Sequence, residues 1–200
     1  REVQQKAKEI TRLETAMTLL KVDHRLARID VLSQQGSEEN HDLATQFSFV
    51  EVDKNGEPLD QARHFSIEGD VLYLDAWVVK FTDEYVEEGD PLRSTSICLF
   101  RRLFGENQNP AEGFSLDPAG SQPLAYRTGG PPSEFERQLW SRFWDIANDP
   151  QMAQKAGVRA AHGTAPSIKL RQGNRYRVQL RASDGLSIVP EKMPPHDQTT

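Results

Sequence analysis

The run from Val71 to Phe81 constrains the fold more than any other part of the chain. Val71, Tyr73, Trp77, Val79 and Phe81 interleave with Leu72, Leu74, Ala76 and Val78, so a strand here is apolar on both faces. Such a strand has to lie inside a sheet and be covered on both sides. Ser94 to Phe104 has the same character, and the acidic segment Asp83 to Pro91 separates the two. A chain of 200 residues with three Trp is long enough to supply one such covered core.

Other strands follow from alternation. Thr45 to Val52 alternates, Asp53-Lys54-Asn55-Gly56 offers a tight turn, and Arg63 to Glu68 returns, which reads as a β-hairpin. Further strands are expected near 158–162, 167–170 and 175–182. Between them, residues 105–132 are rich in Pro, Gly, Asn and Ser and read as a long loop. Ser133 and Glu136 then form a capping box for a helix over 133–147, whose Phe135, Leu139, Trp140, Phe143, Trp144 and Ile146 make a broad apolar face to cover the sheet.

The first 35 residues contain no Pro or Gly. Val3, Ile10, Met17, His24 and Val31 recur every seven positions, with Leu13, Leu20 and Ala27 between them, the a and d pattern of a coiled coil. A second stripe (Thr15, Leu19, Val22, Leu26, Ile29) makes the later half apolar on two sides, so we expect one face to meet the chain's own domain and the other a second subunit. Gly36 ends the helix. The expected fold class is therefore α+β: an oligomerising coiled-coil stem over 1–35, then a mainly antiparallel sheet or partly open barrel over 44–189 covered by the helix 133–147, and a disordered tail over 190–200.

The net charge of −6 is uneven. Residues 51–100 carry 4 basic and 12 acidic side chains, whereas residues 151–200 carry 8 basic and 3 acidic. Overall acidity argues against general affinity for nucleic acid. Within the basic quarter, Lys169, Arg171, Arg175, Arg177 and Arg181 form a stripe, and alternation puts Arg175, Arg177 and Arg181 on one face of one strand. That stripe is the candidate binding surface for an anionic ligand or an acidic partner protein. Asp75, inside the most apolar strand, needs a cation beside it, and Arg101 or Arg102 is the natural partner in a structural ion pair.

Catalytic signals are sparse. The single Cys98 has no thiol partner, the five His show no zinc-binding spacing, and there is neither a phosphate-binding glycine motif nor a G-x-S-x-G elbow. No cofactor or metal is expected. The expected function is a non-enzymatic interaction module with itself as one partner. Because the chain begins at Arg1 within a helical pattern, we expect an upstream membrane anchor and a place in the bacterial periplasm or cell envelope. The alternatives are a hydrolase using His64 or His162 with Asp75 in a pocket under the 105–132 loop, or a cytoplasmic adaptor.

Overall fold

Residues 26–35 alternate as well as repeat, and the alternation wins. In the computed structural model, which describes residues 2–6, 25–81, 97–127, 130–131, 134–149, 151–152, 158–181 and 185–192, they form strand β1 (Leu26–Gln35). Then come β2 (Ala44–Val52), β3 (Arg63–Glu68), β4 (Val71–Phe81), β5 (Ile97–Gly105), β6 (Phe114–Ser115), helix α1 (Glu134–Asn148), β7 (Val158–Thr164), β8 (Ser167–Lys169), β9 (Arg175–Arg181) and β10 (Gly185–Glu191). One sheet has the order β10-β9-β1-β2-β3 and the other β6-β5-β4-β7, with β8 also pairing β4. The architecture is mainly antiparallel β-sheet.

This corrects the expected α+β class with its coiled-coil stem. Among the described residues there is no long N-terminal helix: residues 2–6 are helical and residues 26–35 are a strand. Ala27 and Val31 are not seam residues; with Ile29 between them they form the buried face of β1, at 0%, 5% and 0% exposure respectively. Positions 27 and 31 satisfy both an i, i+4 and an i, i+2 repeat, and only Ile29 and the pairing strands decide between them. Val3 is exposed, and Ile10, Leu13, Met17, Leu20 and His24 lie outside the described residues. Gly36 stops a strand rather than a helix. Its φ is +83°, and a Cβ there would stand 2.3 Å from the Asp42 carbonyl oxygen, so only glycine fits the connection to β2.

The chain forms two compact units. One comprises 24–76, 100–116 and 164–200 and contains the whole β10-β9-β1-β2-β3 sheet. Its hairpin β2–β3 pairs from Ala44 with Glu68 to Phe49 with Arg63. The turn is held by Asp53, whose Oδ1 accepts from the amides of Asn55 and Glu57. Ile29, Phe47, Tyr176 and Val178 are buried on the packed face. Phe49 meets Phe100 edge-on at 6.1 Å, and Tyr73 stacks on Phe104 at 5.2 Å.

The other unit comprises 1–23, 77–99 and 117–163. There α1 packs through Trp140, stacked on Tyr126 at 5.1 Å, and through Trp144, whose indole N–H donates to the Ser121 carbonyl. Tyr126 also accepts from the Cys98 amide, so part of the 105–132 segment is built into the core. The expected disordered tail is corrected at its start. Pro190 and Glu191 belong to β10, opposite Tyr176 and Arg175.

A candidate anion-binding groove

Three strands set the charged face. Residue pairs across β10, β9, β1 and β2 run in transverse rows, and the side chains of each row share one face of the sheet. One row reads Glu191, Arg175, Asp30, Ser48. Its charges alternate in sign, and Arg175 donates from Nε to Asp30 Oδ1 at 2.5 Å and from Nη2 to Asp30 Oδ2 at 3.5 Å. The next row reads Val189, Arg177, Arg28, Val50. Here two guanidinium side chains lie directly opposite each other between two valines. The row beyond is neutral: Ser187, Gln179, Leu26, Val52.

Like charges directly opposite across a strand pair destabilise a sheet. Among the described residues the Arg28–Arg177 pair has only diagonal relief. Arg28 Nε is 3.2 Å from Asp30 Oδ2, at an angle that makes no hydrogen bond, so among the described residues the buried N–H has no hydrogen-bond partner. Arg177 Nη1 is 3.7 Å from Glu191 Oε1, with both side chains well exposed. A groove of about 340 Å³ opens over this pair; Arg28, Arg175, Arg177, Lys54 and Lys192 line it, with Asp53 and Glu191 its acidic lining residues. Counting Asp30 as well, five cations face three carboxylates, and one of those, Asp53, is occupied with its own turn.

The expected stripe is brought together only in part. Arg175 and Arg177 lie in the groove, and Arg171 is exposed outside it. Arg181 closes β9, and its side chain lies outside the described residues. Lys169 belongs to a separate cavity of about 700 Å³, where its ammonium meets Glu38 at 2.5 Å and Asp70 at 3.2 Å. Asp42, Glu68 and Glu106 line the same cavity. Burial pushes the Asp70 carboxyl above its ordinary value, whereas the Lys169 hydrogen bond holds Glu38 below its own and raises Lys169 in turn.

Asp75 stands between both of its expected partners, with Oδ2 3.5 Å from Arg101 Nη1 and 3.3 Å from Arg102 Nε. His64 is exposed on β3, and among the described residues no hydrogen bond or ion pair joins it to Asp75. His162 falls within β7, with its side chain outside the described residues, as is the acidic segment 83–90. Among the described residues no three His, Cys, Asp or Glu side chains come together as a metal site. Sequence reasoning missed Arg28, Asp30 and Glu191, since it placed the first two in a helix and the third in a tail. The one signal for Arg28 and Asp30 was the alternation Ala27, Ile29, Val31, which throws them onto the opposite face. Comparison with protein-family models, with curated proteins and with solved structures finds no match for the chain.

Proposed function

We propose that the chain is a non-enzymatic binding module that takes an anionic ligand in the groove over Arg28 and Arg177. The observation that carries this reading is their cross-strand pairing, an arrangement unfavourable by itself that an anion between them would relieve. Arg is suited to it, because each planar guanidinium offers two parallel donors to an oxyanion. The chain's net charge of −6 favours a compact anion over a long polyanion, which the rest of the surface would repel.

Titration calorimetry on the whole chain with sulfate, inorganic phosphate, citrate and benzoate tests this. At least one of them should bind, and Arg28→Gln and Arg177→Gln should each weaken it about tenfold, the loss of one charge-assisted contact. Binding equal in parent and variants, or no binding of any of the four, would remove the groove as a site.

A further inference from the structure

We infer that the groove is selective for a phosphate monoester on a small neutral body, and that Glu191 is the counter-ion this ligand displaces. The inference rests on the anion-binding reading above and adds the ligand's charge, shape and competitor.

The charge follows from what is already committed. Asp30 is shared: Arg175 donates to it twice, and its Oδ2 also lies 3.2 Å from Arg28 Nε, so one carboxylate is divided between two guanidinium groups. That leaves Arg28 and Arg177 as a pair of cations on neighbouring strands, about 4.8 Å apart in the pairing direction. One carboxylate neutralises one of them. A phosphate monoester carries about −1.5 to −2 near neutral pH and three terminal oxygens, so it can meet two guanidinium groups at once.

The shape follows from the flanking rows. On one side lies the neutral row with Leu26 and Val52, which also line the groove, and on the other lies Arg175 with the Asp30 carboxylate. A phosphoryl head between the arginines therefore leaves its ester body toward Leu26 and Val52, beside the turn at Asp53 to Gly56, and the volume of about 340 Å³ limits that body to a compact group. Glu191 occupies the remaining place. Its contact with Arg177 is 3.7 Å long, and the side chains are 35% and 45% exposed, so water screens the pair and an incoming dianion can replace it.

Phenyl phosphate and benzoate, of similar body and different head, are the probes, titrated into the whole chain by calorimetry. Phenyl phosphate should bind about tenfold tighter than benzoate, and Arg28→Gln and Arg177→Gln should each weaken it about tenfold. Glu191→Gln should tighten it severalfold, while Glu112→Gln, which removes an equal charge from an exposed site outside the groove, should leave it unchanged. Arg28→Lys keeps the charge without the fork and should lose nearly as much as Arg28→Gln, which covers the case where the latter melts early. Vesicles of phosphatidylcholine with phosphatidic acid separate the sources of the head. Sedimentation with them, reversed by phenyl phosphate, marks a lipid phosphate; binding of phenyl phosphate alone marks a free ester. Equal affinity for benzoate and phenyl phosphate, with both weakened by Arg28→Gln, or an unchanged affinity in Glu191→Gln, would overturn this inference and leave the anion groove standing. No binding of either probe would overturn this inference, and no binding of the four anions above as well, or binding indifferent to Arg28, would overturn both.

Discussion

Arg25 is 1% exposed, and its guanidinium donates to both Glu51 carboxylate oxygens, at 2.7 and 3.1 Å, while lying 3.9 Å from the centre of the Phe100 ring. A buried charge keeps its place only when it is paired in this way, because breaking the pair leaves the remaining ion in a poorly solvating medium. Glu51→Gln should therefore cost about 3–5 kcal/mol of folding stability. Asp75 makes the useful contrast. Its side chain is 19% exposed and those of Arg101 and Arg102 are 30% and 25%, so water screens the cluster, and Asp75→Asn should cost about 1–2 kcal/mol. Urea unfolding of the two variants decides the order; a larger loss for Asp75→Asn would mean that exposure is the wrong guide here. Only one of these two clusters was legible in the sequence. An Asp between Leu74 and Ala76 announces its need for a partner, whereas Arg25, next to a heptad, looks like a solvated helix residue.

Connections as well as strands carry electrostatic structure. Lys169 on β8 ties the β1–β2 connection, through Glu38, to the β3–β4 turn, through Asp70, and Glu106 Oε1 accepts from the Asp70 and Val71 amides on the same turn. The two carboxyls are shifted in opposite directions. Asp70 is raised by burial, so its contribution to stability is full below about pH 3.9 and is lost as pH rises through the raised value. Glu38 is lowered by Lys169, so its contribution is full above about pH 4.3 and is lost as pH falls through the lowered value. Relative to Asp70→Asn, the parent should thus gain stability on acidification from neutral pH; relative to Glu38→Gln it should lose stability. Urea titrations at a series of pH values give both differences, and slopes of the same sign would show that the two groups do not divide the work in this way. Strands such as β4, apolar on both faces, and the β2–β3 hairpin, marked by its Asn-Gly turn, were readable element by element. β1 was not, because a stretch with apolar residues at 26, 27, 29, 31 and 32 fits either period until its neighbours are known. β10 was hidden by Pro190, which an edge strand tolerates since its outward amide side needs no donor.

Across the whole molecule, β1 is completed by chain that comes about 150 positions later. It pairs with β2 on one side and on the other with β9, from Leu26 opposite Gln179 to Asp30 opposite Arg175. Val31 adds hydrogen bonds to Asn174 and Gly173. Such pairing is non-local, so its loop-closure entropy is spent before the contacts return anything, and it is invisible to any window of sequence. It also makes the C-terminal strands structural rather than decorative. Removing residues 171–200 deletes β9 and β10, strips the cover from one edge of β1, and exposes Ile29 and Ala27 along an unpaired strand. The shortened chain should lose cooperative urea unfolding and near-ultraviolet circular dichroism and should aggregate, while the full chain unfolds in a single transition. A truncated protein that keeps a sharp transition with a proportionately smaller denaturant slope would mean that β1, β2 and β3 hold together without β9, and that the far end of the chain contributes the groove's arginines but not the fold.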